Sequence, residues 1–173
     1  MSQPPDDARI RERSGAVNEA WERTIEETEL IADERREQGW EAVTIPTVHT
    51  SPTGEPREAE DQPGLVHVVP DNHAEAFTDV FEAGEFPEFE VYRNEVEGNV
   101  FVVTELVDPE TKTVVLIRGR YDFSLAEGMI SAAMETEAIY THVKTIDGTL
   151  LGSIRHELLT PFVPGLEHDG DES

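Results

Sequence analysis

The apolar residues of this chain occur in short runs separated by charged or turn-forming residues, and this pattern limits the folds open to it. The run Val114-Val115-Leu116-Ile117 is one of the longest. A helix that crosses a membrane needs about 18 or more consecutive apolar residues, so no membrane partner is expected. Short runs fit amphipathic helices and strands around one core. The length of 173 residues is typical of one domain with tails.

Periodicity and turn signals predict the helices and strands of this core. Helices are expected at residues 14–38, 71–83 and 124–137, and strands at 40–49, 65–69, 89–96, 100–107, 113–121, 139–146 and 149–156. Pro46 indicates an edge position or a break in the first strand, and residues 50–64 are expected to form a long loop. The predicted fold is α+β, with a mostly antiparallel sheet of about six to seven strands and helices packed on one face.

The order of the predicted elements repeats once. Strand, helix, strand, strand occurs at 65–107 and again at 113–156, with Glu97-Gly98 and Asp147-Gly148 at equivalent turns. This order suggests a duplicated strand-helix-strand-strand unit. The predicted domain boundaries are a disordered N-terminal tail at 1–13, a single α+β domain at 14–159 and an acidic C-terminal tail at 160–173.

The charge balance is strongly acidic. The chain has 38 Asp and Glu residues against 13 Lys and Arg, for a net charge of -25, and Lys112 and Lys144 are its only lysines. Such a surface repels itself in dilute buffer, whereas molar salt shortens the Debye length to about 3 Å and screens the repulsion. We therefore expect a salt-adapted cytoplasmic protein. Binding to nucleic acid is disfavoured because no basic cluster exists to contact phosphates.

The Asp147-Gly148 pair predicts a tight hairpin between the last two strands. Its register assigns alternate residues to opposite faces of the sheet. The predicted core face holds Ile139, Val143, Leu150 and Ile154, and the other face holds Tyr140, His142, Lys144, Ser153 and Arg155. This second face is expected to be in contact with water, although its side chains could also bind an anion or perform acid–base chemistry.

The segment Arg118-Gly119-Arg120-Tyr121-Asp122 ends the most apolar strand and precedes a helix. Backbone N–H groups at such junctions often bind ligands, and Gly119 would let a ligand or a neighbouring chain approach. The two arginines stand out in so acidic a chain, although they could pair only with local carboxylates. The ligand-binding candidates are therefore Arg118, Arg120, Tyr121, Tyr140, His142 and Arg155.

Metal and cofactor motifs give no positive signal. His67, Asp71 and His73 are close in sequence, but their spacing matches no zinc signature, and Asp71 is better explained as a helix cap. The chain has no cysteine, no glycine-rich phosphate loop, no dinucleotide fingerprint and no nucleophile elbow. No metal and no cofactor are therefore predicted. Trp21 and Trp40 are expected to be packing residues.

Several segments resemble a family of uncharacterised proteins from halophilic archaea. They are Gln38-Gly39-Trp40-Glu41-Ala42-Val43, Val66-His67-Val68-Val69-Pro70-Asp71-Asn72, Gly84-Glu85-Phe86-Pro87-Glu88-Phe89-Glu90-Val91-Tyr92, Tyr140-Thr141-His142-Val143 and Asp147-Gly148-Thr149. The resemblance agrees with the acidic composition. It implies no activity and transfers no site residue.

Three functions remain open from the sequence. The favoured one is a small interaction or regulatory module that binds an unknown protein partner or a second copy of itself, because no catalytic arrangement is visible. The second is a domain that binds a small anionic ligand through Arg118 and Arg120. The third and least favoured is an enzyme with His142 or His67 as its general base, which would need a cleft beside that histidine.

Overall fold

The computed structural model describes residues 3–54 and 62–165. Its helices are α1 (Gln3–Glu37), α2 (Asp71–Ala83) and α3 (Glu127–Thr136), with a short 3-10 turn at Phe123–Leu125. Its strands are β1 (Glu41–Ile45), β2 (His49–Thr53), β3 (Gly64–Val69), β4 (Glu88–Val96), β5 (Asn99–Asp108), β6 (Thr113–Asp122), β7 (Ile139–Thr145) and β8 (Leu150–His156). A membrane crossing requires a long helix of apolar residues, and no helix among the described residues meets this requirement.

The strands form two sheets of four. The first sheet has the order β1-β6-β5-β4 and the second has the order β2-β3-β7-β8. Strands β1 and β6 are parallel, as are β3 and β7, while the other neighbours are antiparallel. The α+β class is thus confirmed, but the single antiparallel sheet is wrong. Local patterns reveal hairpins, whereas parallel pairs join strands that are distant in sequence.

The repeated element order does not extend to the strand pairing. In the first unit, β3 does not pair with the β4–β5 hairpin of that unit but lies parallel to β7 in the second sheet. In the second unit, β6 pairs with β5 of the first sheet in an antiparallel manner. Each unit therefore places its first strand beside the hairpin of the other unit. The orientation differs, because β3 is parallel to its neighbour β7 whereas β6 is antiparallel to its neighbour β5. The pairing gives no support to a duplicated unit.

The chain crosses from one sheet to the other at Pro46. Strand β1 ends at Ile45 and β2 begins at His49, so the strand break predicted at this proline is confirmed. We call this crossing the strand switch. Strand β2 occupies residues that were predicted to begin a long loop, and residues 55–61 of that loop lie outside the described part of the chain.

The core lies between the facing sides of the two sheets. Val115 and Ile117 of the first sheet share a buried cluster with Val69 and Val143 of the second, and Phe77 of α2 completes it. Met129 and Ala133 of α3 belong to a second cluster between the sheets. Two of the three helices thus contribute to the space between the sheets, rather than covering a single face.

Helix α1 covers the outer side of the first sheet. Ile31 and Ala32 pack against Val114 and Leu116 there, in a third buried cluster. The helix begins at Gln3 rather than near Ser14, so residues 3–13, predicted to be a disordered tail, are helical in the structure. Met1 and Ser2 lie outside the described residues.

The segment after β8 packs back on the core. Phe162 and Val163 are buried between the sheets, and the carbonyl of Phe162 accepts a hydrogen bond of 2.8 Å from the Tyr121 hydroxyl. The predicted C-terminal tail therefore begins with residues that belong to the folded domain. Residues 166–173 of that tail lie outside the described part of the chain.

The register of the β7–β8 hairpin is as predicted near its open end. Tyr140 pairs with Arg155, and His142 pairs with Ser153. A bulge after Val143 then shifts the pairing, so that Lys144 lies opposite Leu150. Leu150 was placed on the core face, but 49% of it is exposed because the bulge turns it outward.

Candidate functional site

The strand switch creates a pocket beside β6. Strand β1 ends where Ile45 pairs with Ile117, so among the described residues no strand pairs with the last residues of β6 on that side. The cavity there has a volume of about 180 Å³ and is lined by Trp21, Thr47, Val48, His49, Thr50 and Arg120. The Thr47 hydroxyl donates a hydrogen bond of 2.9 Å to the Arg118 carbonyl and thereby fixes the connection between β1 and β2. We call this cavity the switch pocket.

Arg120 supplies the positive charge of the switch pocket. Its guanidinium lies over the Trp21 ring, 5.7 Å from the ring centroid, and Trp21 in turn contacts Phe101 with ring centroids 6.4 Å apart. Within residues 3–54 and 62–165, Arg120 makes no ion pair with a carboxylate. Its charge is therefore positioned by an aromatic ring and is available to a ligand.

Arg118 lies two residues before Arg120, on the same side of the sheet. It is partly buried, and its Nε atom has no hydrogen-bond partner in the described part of the structure. Burial lowers the pKa of Arg118, and the charge of Glu29 on α1 opposes this change. Arg118 does not line the cavity, so it contributes charge beside the switch pocket rather than a direct contact.

Gly119 separates the two arginines and faces the interior. A Cβ atom at this position would collide with the Thr50 hydroxyl and would lie 2.9 Å from Nδ1 of His67. Glycine is therefore required for β2 and β3 to approach this part of β6. The close approach expected from Gly119 is made by a neighbouring segment of the same chain.

His67 is completely buried and cannot exchange protons with a substrate. Its Nδ1 lies 3.0 Å from the Thr50 hydroxyl, and burial, with a smaller effect of His142, lowers the pKa of His67 to about 3. A general base at neutral pH needs contact with its substrate and a pKa near the working pH. The structure places His67 in neither situation.

His142 lies on the outer face of the second sheet, but it is not in contact with water. Only 1% of it is exposed, and its ring nitrogens lie 2.7 Å from the Ser153 hydroxyl and 2.8 Å from the Gln62 carbonyl. The expectation of a solvated face is therefore wrong at His142, because the chain just before β3 packs over this position. A closed, hydrogen-bonded histidine gives no support to a role as general base.

Tyr140 and Arg155 lie beside His142, and Arg155 also lines a cavity of about 350 Å³ together with Phe89 and Ile154. Tyr140 stacks on His142 with ring centroids 5.6 Å apart, and Arg155 donates a hydrogen bond of 3.1 Å to the Tyr140 hydroxyl. Arg155 also pairs with Glu157 at 3.5 Å. These three candidates lie on the second sheet, whereas Arg118 and Arg120 lie on the first, so the predicted residues do not form one site.

The Tyr121 side chain points into the core, away from the side of the sheet that carries Arg118 and Arg120. It is 2% exposed, and burial raises the pKa of its phenol. Its hydroxyl donates a hydrogen bond to the Phe162 carbonyl. Tyr121 is therefore a core residue, because alternate residues of a strand face opposite sides.

His67, Asp71 and His73 are the residues whose proximity in sequence raised the possibility of a metal site. Among residues 3–54 and 62–165, no group of three or more His, Cys, Asp or Glu side chains is placed so that it could hold a metal ion. Asp71 is the first residue of α2, and the His67 ring is enclosed between the sheets.

Sequence reasoning missed the residues that complete the switch pocket. Thr47, His49 and Thr50 follow Pro46, in a region predicted to be the end of a strand and the start of a loop. The proline was the available signal, because a strand break can move the following residues beside another strand. Trp21 was expected to pack, and it does so while also lining the pocket.

Comparison with known proteins gives a family but no activity. No curated protein matches the chain, and neither does any solved structure. The expectation of an uncharacterised family is confirmed. The chain belongs to the family described as a family of unknown function (DUF7529), whose model matches residues 7–164.

Proposed function

We propose that the switch pocket binds a small oxyanion, such as phosphate, sulfate or a carboxylate group. The observation that carries this proposal is Arg120, which lines a cavity without a carboxylate partner among the described residues. Arg23 on α1 also makes no ion pair among the described residues, so what distinguishes Arg120 is its position in a cavity. Arg120 is oriented there by Trp21.

The size and chemistry of the switch pocket define the ligand class. Its volume of about 180 Å³ is below the range of about 300–1,000 Å³ that drug-sized ligands occupy, so a single anionic group fits better than a nucleotide. Guanidinium groups donate paired hydrogen bonds that match carboxylate and phosphate oxygens. Thr47 and Thr50 add hydroxyl-bearing side chains to the lining of the switch pocket.

The setting that favours such binding is a salt-rich cytoplasm. The net charge of -25 repels anions at low ionic strength. At molar salt this long-range repulsion is screened, whereas contacts at a few ångströms inside a pocket are retained. We accordingly propose that the protein is adapted to such a cytoplasm, and that unfolding on removal of KCl would support this setting.

The direct test is isothermal titration of the protein with phosphate and with sulfate in molar KCl. The wild type should bind at least one of them, and Arg120→Ala should weaken binding about tenfold or more, because it removes a charged hydrogen bond. The matched control is Arg23→Ala. Arg23 is an exposed arginine two residues after Trp21 on α1, which places it on the far side of the helix. Equal effects of the two substitutions would contradict the proposal.

An interaction or regulatory role is the alternative function. Strand β8 is an edge strand, and at its turn Ile146 is 63% and Leu150 is 49% exposed. An open edge with apolar side chains can pair with another chain. If no anion binds, co-purification at high salt and light scattering would test this role, and Leu150→Glu should abolish any association that uses this edge.

A further inference from the structure

A series of hydrogen bonds connects the buried His67 to the switch pocket. Nδ1 of His67 lies 3.0 Å from the Thr50 hydroxyl. The Thr50 hydroxyl lies 3.5 Å from the Thr47 hydroxyl, to which it can donate. Thr47 in turn donates to the Arg118 carbonyl at 2.9 Å. A residue in the interior of the protein is therefore linked to two groups that line the pocket.

The carbonyl at the end of this series sets the direction of every hydrogen in it. A carbonyl oxygen can only accept, so Thr47 uses its single hydrogen on Arg118. Thr47 can then only accept from Thr50, so the contact between the two hydroxyls is a hydrogen bond when Thr50 supplies its own hydrogen. The Thr50 oxygen is left to accept from Nδ1–H of His67. One direction thus satisfies all three bonds.

The unpaired nitrogen of His67 leads to the same conclusion independently. Its Nε2 has no hydrogen-bond partner in the described part of the chain, and burial keeps the ring neutral, with a single N–H. A buried N–H without a partner is rarer in proteins than a buried acceptor without one. The neutral ring is therefore best accommodated with its hydrogen on Nδ1 and a bare Nε2.

We propose that His67 is a positioning residue that holds the Thr50 hydroxyl as a hydrogen-bond donor for an anion in the switch pocket. The bond from Thr50 to Thr47 is 3.5 Å long, at the weak limit for O–H donors. An anion oxygen that lies closer than this takes the Thr50 hydrogen. His67 uses one of the two lone pairs of the Thr50 hydroxyl and, as a donor itself, cannot take the Thr50 hydrogen, so that hydrogen stays available to the ligand. The pocket then favours a ligand that only accepts, which is an ionised oxyanion.

The position of Gly119 supports this role. Glycine is the residue that leaves room for both the Thr50 hydroxyl and the His67 ring, since a Cβ atom there would meet both of them. The same glycine separates Arg118 from Arg120. The strand that carries the pocket's positive charge is therefore also the strand that admits the His67–Thr50 pair.

The first measurement is the tautomer of His67, read from nitrogen-15 chemical shifts of the imidazole in the full-length protein. The hydrogen should be on Nδ1, and addition of phosphate should shift this resonance. A hydrogen on Nε2 would overturn the proposal, because Thr50 would then donate to the histidine and not to the ligand. This measurement needs no anion binding and can be decided even if the proposed function fails.

The second measurement is a cycle of phosphate affinities at high salt. Thr50→Val should weaken binding about tenfold, and His67→Leu should weaken it by about fivefold on its own. In the Thr50→Val background, His67→Leu should cause no further loss, because its effect passes through Thr50. His67→Asn keeps an amide N–H near the Nδ1 position and should bind within about twofold of the wild type. Thermal unfolding confirms that each variant is folded at the titration temperature.

The two proposals fail in different ways. The inference about His67 rests on the proposed anion site. A wild type that binds neither phosphate nor sulfate would therefore refute both the anion site and the role of His67 in ligand binding. The tautomer would then still show whether Thr50 is held as a donor. If phosphate binds and Arg120→Ala weakens it, but His67→Leu weakens binding equally with and without Thr50, the anion site stands and the role of His67 is refuted.

Discussion

Arg35 and Glu105 form the ion pair that fastens the end of α1 to the first sheet, and the two partners should differ in how much their removal costs. The Arg35 guanidinium binds both carboxylate oxygens of Glu105, at 2.6 and 3.0 Å, and the Tyr92 hydroxyl donates to the same carboxylate at 3.0 Å. The Glu105 side chain is fully buried, whereas 25% of the Arg35 side chain is exposed. Water can therefore reach one partner and not the other.

Arg35→Met keeps most of the side-chain volume but leaves a buried carboxylate without its counter-charge. Loss of one partner from a buried pair costs about 3–5 kcal/mol, so the free energy of unfolding should fall by that amount. Glu105→Gln keeps the shape and leaves Arg35 partly hydrated. It should cost about 1.5–3 kcal/mol, the range for hydrogen bonds to charged groups. The double variant should be more stable than Arg35→Met alone, because the unpaired charge is gone.

The assay is urea unfolding at constant high KCl, since urea leaves the ionic strength unchanged. Midpoints and slopes should be measured for the wild type, both single variants and the double variant, and the coupling energy follows from the cycle. The reasoning is refuted if Glu105→Gln destabilises as much as Arg35→Met. It is also refuted if the two losses simply add in the double variant.

Three further predictions concern buried histidines and a tight glycine. Burial lowers the pKa of His67 to about 3 and that of His156 to about 4, both below the unfolded value of about 6.5. The unfolded chain therefore binds more protons below that pH. This contribution of the two histidines to the free energy of unfolding is complete above about pH 6.5. It falls by about 1.4 kcal/mol per pH unit for each ring, down to about pH 4 for His156 and about pH 3 for His67. In urea unfolding at several pH values, His156→Gln should show a smaller slope of stability against pH. Gly119→Ala should destabilise by about 1–3 kcal/mol through overpacking, whereas Gly128→Ala in α3, where a Cβ meets nothing within 4 Å, should stabilise by about 0.5–1 kcal/mol; thermal melts of the pair would contradict the packing argument if the order were reversed. His142→Ala should cost about 1–3 kcal/mol, and an unchanged midpoint would show that its hydrogen bonds contribute nothing to stability.

Local chemistry was sufficient to predict where the hairpins turn. The Asp147-Gly148 signal also predicted the pairing of Tyr140 with Arg155, and the structure has that register. It does so because the bulge after Val143 offsets a turn one residue longer than predicted, in which Thr145 lies opposite Thr149. Pro46 marked the end of β1 for a similar reason, because proline cannot donate to a strand ladder. Both features depend on residues within a few positions of one another, so a single sequence contains the needed information.

Contacts between distant segments could not be predicted in this way. The alternation of β7 placed His142 on the face away from the core, which is correct, but nothing in the alternation shows that Gln62 packs over it. The switch pocket has the same origin. Arg120 was identified from its position at a strand end, whereas its neighbours Trp21 and Thr50 come from elements that meet only in the folded chain.

The parallel pairs have a consequence for the synthesis of this chain. Glu41 of β1 pairs with Thr113 of β6, which leaves the ribosome about 70 residues later, and chains grow at about 5–20 residues per second. For several seconds after its synthesis, β1 therefore has no β6 to pair with, and its backbone N–H and C=O groups can form hydrogen bonds with other nascent chains. The closing of such long loops also slows folding. Electrostatic repulsion between chains with a net charge of -25 would keep neighbouring nascent chains apart during that interval. High salt screens the same repulsion and so would make it effective only over shorter distances. Newly made chains should accordingly aggregate more readily than refolded native protein as KCl is raised, in a cell-free translation assay.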